Sequence, residues 1–211
     1  MAGRPREFDE ARAVDSALRV FWEKGYEGAS LSDLTEAMHL NRPSLYAAFG
    51  NKEGLFRRAV DRYVGIANER IHETLASPSA RDAVEGLLRN YATAPTLREN
   101  PRGCLLVQGA LACGDEARGA QAELATRRSE GEKALHDRLE RARAEGELPP
   151  DCDTWDLARF VWTVCYGLAV RGAGGASAQE LQRIATVAMR AWPGAVKRRP
   201  SSKKLASTKR H

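Results

Sequence analysis

The stretch NRPSLY places the polar side chains of Asn41, Arg42, Ser44 and Tyr46 close together, and Lys52 follows shortly after. On one helix, such a set suits nucleic acid. Arg can bridge guanine and Asn adenine from the major groove. Ser and Tyr hydroxyls, backbone N–H groups at a helix N-terminus, and Lys reach phosphate oxygens. The other reactive side chains do not assemble. Cys104, Cys113, Cys152, Cys165 and the four histidines form no CxxC or HxxxH pair, so a metal site is not expected. Cys104 and Cys113, on different bearings of a helix, read as small buried thiols. No Ser-His-Asp, paired-carboxylate or Cys-His arrangement can be built from spacing, so neither catalysis nor a cofactor is expected. The run from Arg171 to Ala176 is rich in glycine but lacks the GK[ST] ending of a phosphate loop and follows a helix, so it reads as a connection.

Helices must position these residues, because nothing in the chain alternates as a strand does. Ala13, Val14, Ala17, Leu18, Phe21 and Trp22 form one apolar stripe of helical period, ended by Gly25. Ser30 and Asp33 make a variant capping box before a short apolar face of Leu31, Leu34, Ala37 and Met38. Asn41 suits the N-cap of a third helix, with Pro43 in its first turn, and Asn51 that of a longer helix starting near Lys52. Two short helices, Leu31–Met38 and Arg42–Phe49, joined through His39, Leu40 and Asn41, describe a helix-turn-helix. In the second, Leu45, Ala48 and Phe49 are expected inside; Arg42, Ser44, Tyr46 and Ala47 face outward.

Longer helices follow, with breaks at Ser77-Pro78-Ser79, Pro95 to Gly103, Pro149-Pro150 and the glycine run. A long helix is expected from about Glu116 to Gly146. The next, opened by Asp153, is apolar on nearly all sides; Ser177 caps the last. Its expected apolar face carries Leu181, Ile184, Val187, Ala188 and Trp192.

The 211 residues have a formal charge of +5, with 43% hydrophobic and 29% charged residues. This is globular composition, neither disordered throughout nor fibrous. No apolar run approaches the roughly 18–20 residues that span a bilayer. The charged start, MAGRPREFDEAR, has no apolar leader, and a cytoplasmic protein is expected. The positive charge is concentrated at one end. Residues 1–60 are neutral, residues 61–196 carry −2, and residues 197–211 carry +7. That basic, unpatterned tail reads as disordered. Net charge therefore says little about the helix-turn-helix.

The segment GRPREFDEARAVDSALRVFWEKGYEGASLSDLTEAMHLNRPSLYAAFGNKEGLF resembles the N-terminal domain of the tetracycline-repressor (TetR) family. The carriers are F-x-x-x-G-Y-x-x-x-S (Phe21 to Ser30), L-Y-x-x-F (Leu45 to Phe49) and K-E-x-L-F (Lys52 to Phe56). GCLLVQGAL through ARAEGELPPDCD resembles a ligand-domain subgroup of that family. The resemblance implies an all-α fold of about nine helices. A helix-turn-helix DNA-binding domain over 1–50 would precede an effector-binding and dimerisation domain over 51–192, with a long linking helix from about residue 52, and a tail over 193–211. It implies a homodimer on a palindromic operator, usually repressing, released by a small molecule.

Carried over by position, base-reading contacts fall on Asn41, Arg42, Pro43, Ser44 and Tyr46. Phosphate contacts fall on Ser30 or Ser32 and on Lys52, and Arg4 and Arg6 match a basic minor-groove arm. One departure stands out: where the family usually has Gly at the turn, this chain has His39. The interface candidates are Trp155, Phe160, Trp162, Leu168, Leu181, Ile184, Ala188 and Trp192. For a mostly apolar or aromatic effector, the candidate lining is Tyr91, Cys104, Gln108, Trp162, Cys165 and Tyr166. The competing expectations are an all-α protein-interaction module, an activator, or a sensor of thiol-reactive compounds.

Overall fold

A computed structural model describes residues 9–96, 101–111 and 113–194, with the side chain of Pro95 excepted. Arg4, Arg6 and the basic tail from residue 195 lie outside the described residues. The described residues form nine α-helices and no strand. These are α1 (Glu10–Gly28), α2 (Leu31–Met38), α3 (Arg42–Phe49), α4 (Lys52–Leu75) and α5 (Ala80–Thr93), then α6 (Leu105–Gln108), α7 (Arg118–Glu145), α8 (Thr154–Ala173) and α9 (Ala178–Ala188).

Side-chain caps set most boundaries, and the capping residues read from the sequence are the ones used. Asn51, Asp153 and Ser177 accept backbone N–H groups from Gly54, Asp156 and Glu180. Ala13, Val14, Ala17, Leu18 and Phe21 are the buried stripe of α1. At Gly25 the backbone turns to φ +72, so helical geometry breaks there and a short turn continues to Gly28.

Two apolar cores divide the helices. The first packs α1, α2, α3 and the first half of α4 around Phe21, Leu34, Leu45 and Phe56, with a T-shaped Phe21–Phe56 contact at 5.0 Å. It also takes Leu105, Ala110, Ala120 and Leu124 from later in the chain, so it does not stop at residue 50. The second joins α5, α7, α8 and α9.

The turn at the end of α1 is fastened to the α6 segment by three hydrogen bonds. Tyr26 N–H donates to the Gly109 carbonyl (2.6 Å), Gln108 Nε2 to the Trp22 carbonyl (3.2 Å) and Gly114 N–H to Glu27 Oε1 (2.6 Å).

Two expectations need correction. Ala48 is exposed, not inside. α3 has only eight residues, and the i, i+4 pair Leu45 and Phe49 already supplies its buried row. Trp162, Leu168 and Leu181 are almost wholly buried in the second core, so they are not free to meet another chain. Because α8 packs on α5, α7 and α9 together, most of its apolar surface is consumed within the monomer.

Candidate functional site

The α2–α3 pair is rigidly preset. Ser30 and Asp33 complete a capping box: the Asp33 N–H donates to Ser30 Oγ (3.1 Å) and the Ser30 N–H to Asp33 Oδ2 (2.9 Å). Lys24 closes on the same carboxylate at 2.7 Å. Those bonds to Lys24 and Ser30 hold the Asp33 carboxyl down to about 2. At the end of α2, His39 takes the left-handed conformation (φ 53, ψ 39) at the turn position singled out in the sequence. Its N–H and that of Leu40 donate to Glu36 and Thr35 carbonyls, which closes the turn.

Asn41 then caps α3, its Oδ1 accepting the Ser44 N–H at 2.8 Å. One lone pair of Oδ1 is used by the cap, which fixes the side chain's direction; its second lone pair and the Nδ2 donor stay available for a base edge.

Arg42, Pro43 and Tyr46 are exposed on one short helix anchored from behind by Leu45 and Phe49; Ser44 is half-buried. Arg42 Nη2 donates to Ser32 Oγ at 3.4 Å, so Ser32 at the start of α2 and Arg42 at the start of α3 share one surface. The Ser30 hydroxyl is engaged in its cap. Lys52 opens α4 with its ammonium 4.7 Å from the centre of the Tyr26 ring. Partial burial there lowers its pKa, and Glu27 opposes the shift. This surface has exposed donors of defined position and no catalytic grouping, and among the described residues no cluster could hold a metal ion.

The second feature is a cavity of about 640 Å³, within the roughly 300–1,000 Å³ range of small-molecule sites. Its walls come from α1 (Leu18, Trp22), from the middle of α4 and from α5. Tyr91 and Cys104 line it, as expected. Gln108, Trp162, Cys165 and Tyr166 do not. The Gln108 amide is spent on the Trp22 and Arg102 carbonyls, Trp162 Nε1 donates to the Gly131 carbonyl at 3.0 Å, Cys165 is sealed in the second core, and Tyr166 packs beside Trp162. Tyr63 O–H donates to Cys104 Sγ at 3.3 Å. Burial pushes the Cys104 thiol up and the Tyr63 and Tyr91 phenols well up, so all three stay neutral near pH 7.

Sequence reasoning missed the α1 and α4 walls. A signal existed: Tyr63, Ile66, Ala67, Arg70 and Ile71 fall at i, i+3, i+4, i+7 and i+8, a helical face that stays half open, with Ile66 43% exposed.

Comparison with known proteins settles the family. The description "Bacterial regulatory proteins, tetR family" matches residues 13–59, and "Tetracyclin repressor-like, C-terminal domain" matches residues 80–188. The chain belongs to the TetR family. It is a DNA-binding transcriptional regulator with an N-terminal helix-turn-helix and a helical C-terminal domain.

It is similar to the HTH-type transcriptional repressor ComR of Escherichia coli strain K12, at 35% identity over 92% of this chain and 94% of that protein. It is also similar to the HTH-type transcriptional repressor BdcR of the same strain, at 30% identity over 89% of each. Among solved structures, a cysteine-substituted mutant of the TetR family transcriptional regulator CifR, complexed with 26 bp double-strand operator DNA, superposes with a TM-score of 0.87. That match is at 43% identity and covers 90% of this chain and 100% of the other. No helix among the described residues is long and apolar enough to cross a membrane.

Proposed function

We propose that this TetR-family regulator is a homodimeric repressor. It reads a palindromic operator with α3 and lets go when a small, mostly apolar or aromatic effector fills the cavity between α1, α4 and α5. The observation that carries this is the shared wall: α1 belongs to the DNA-reading core and also faces the cavity. An occupant can therefore bear on the position of α3 through α1 and the α2 and α4 helices packed between them. It shifts the population toward the released state only by binding that state more tightly.

The base-reading set is Asn41, Arg42, Pro43, Ser44 and Tyr46. Ser30 or Ser32 and Lys52 meet phosphates, Ser32 being the better placed because the Ser30 hydroxyl is engaged in its cap, and Arg4 and Arg6 reach the minor groove. Residues 1–50, 51–192 and 193–211 act as DNA reader, effector and dimer unit, and tail. The cytoplasm, where an operator is accessible, is the place of action.

The pairing face is a strip of α8 and α9. Phe160, Thr163, Gly167 and Val170 lie exposed along α8, and Val187 stands 57% exposed on α9. A side chain at Gly167 would meet nothing within 4 Å, so a second helix can come close there. Trp155, Ile184, Ala188 and Trp192 complete the proposed pairing set. The names of ComR and BdcR support repression. Cys104 also keeps a thiol-reactive effector in view, although its raised pKa favours a non-covalent occupant.

A gel shift on the DNA flanking its own gene tests this. A discrete complex that survives excess random duplex is expected. Phe160→Glu should sediment as a monomer and lose that complex. A complex dispersed by competitor, or a wild-type monomer that binds as well, contradicts the proposal.

A further inference from the structure

Among the described residues, the cavity wall carries more cationic than anionic side chains. Among the described lining residues, Arg62 and Arg70 stand with one carboxylate, Asp15. Trp22 lines the cavity too, and its Nε1 is buried without a hydrogen-bond partner among the described residues. A buried N–H left unpaired is costly, and an occupant that supplies an acceptor removes the cost. The rest of the wall is apolar: Leu18, Ile66, Ile71 and Leu87, with the Tyr91 ring.

Arg62 is held in a two-point grip by Asp15, Nε to Oδ1 at 2.7 Å and Nη2 to Oδ2 at 3.4 Å. Both partners are about half exposed, so the pair is weak and open to exchange. It matters for position all the same. Arg58 and Arg62, one turn apart on α4, hold Glu10 and Asp15 of α1.

We infer that the cavity takes a small organic carboxylate with an apolar or aromatic body, anchored by Arg62 in place of Asp15. This rests on the cavity being the effector site, and it adds the charge and the anchor. The occupant's carboxylate accepts the two parallel N–H bonds that Asp15 now accepts, a geometry guanidinium favours. Its apolar body lies against Leu18, Ile71 and Leu87. Asp15 is released to solvent, and one of the two ion pairs that tie α1 to α4 opens. Recognition and release then use the same guanidinium.

The test titrates the full-length protein with benzoate, cinnamate and naphthoate, each against its neutral primary amide, following binding by calorimetry and operator release by fluorescence anisotropy. At least one acid should bind about tenfold or more tighter than its amide, as a charge-assisted pair warrants. Arg62→Gln should abolish that preference, while Asp15→Asn, which removes the competitor, should tighten acid binding several-fold.

The inference is overturned if no acid binds at millimolar concentration, if acid and amide bind alike, or if the preference survives Arg62→Gln. It is also overturned if Asp15→Asn leaves acid affinity unchanged. Acid and amide releasing operator equally well would remove the anion and leave the effector cavity standing. Acids that bind through Arg62 yet leave operator affinity unchanged would bear out the site and contradict its role as the effector cavity.

Discussion

At the scale of single residues, the DNA-facing side chains have different jobs, and their surroundings say which. Lys52 leans on the Tyr26 ring, which holds the stem while leaving a cation at the start of α4. In the proposed complex such a cation meets phosphate and reads no sequence. Lys52→Ala should therefore weaken binding to all duplexes alike, and it should flatten the slope of log affinity against log salt by about 1. A titration in which only one sequence is affected would reassign Lys52 to base reading.

Much at this scale was legible. Asn41, Asn51, Asp153 and Ser177 announce themselves as caps, because their short polar side chains precede helical patterns. What the sequence could not show is that the cap fixes the direction of the Asn41 amide. That follows from the 2.8 Å contact with the Ser44 N–H.

At the scale of elements, the turn between α2 and α3 carries the one non-glycine residue of positive φ among the described residues, His39. The left-handed conformation costs a side chain roughly 1–2 kcal/mol, part of which glycine gives back through the entropy of its unfolded chain. His39→Gly should then stabilise the protein by roughly 0.5–1 kcal/mol, seen as a melting temperature about 2 °C higher. A lower melting temperature would mean that the His39 side chain itself supports the turn.

The mismatch was visible in the sequence as a departure from the family's glycine, and its geometric consequence is now seen in the backbone. The helices themselves were legible because each pairs an apolar stripe with a cap. Ala48 was misplaced because position alone does not tell which of two neighbouring small or apolar residues fills the buried row.

At the scale of the molecule, the sequence gives few clues, since the cavity is built from residues far apart in the chain. Asp15 meets Arg62, Tyr63 meets Cys104 and Trp22 meets Gln108, and no spacing rule links them. For the same reason Trp162, Leu168 and Leu181 could not be told from interface residues before α5, α7 and α9 were seen to enclose them.

In the proposed dimer, α8–α9 pairing sets two copies of α3 to match two half-sites, centred about one helical turn of DNA, 34–36 Å, or a multiple of it apart. The most direct test is selection of bound sequences from a random duplex library by the full-length protein, run in parallel with Arg42→Ala. The account predicts that the parent enriches an inverted repeat and that Arg42→Ala enriches the same repeat with one base pair per half-site relaxed, at a cost of about 1–3 kcal/mol at that position. Enrichment of no repeat by the parent, or an identical preference from both proteins, would contradict it.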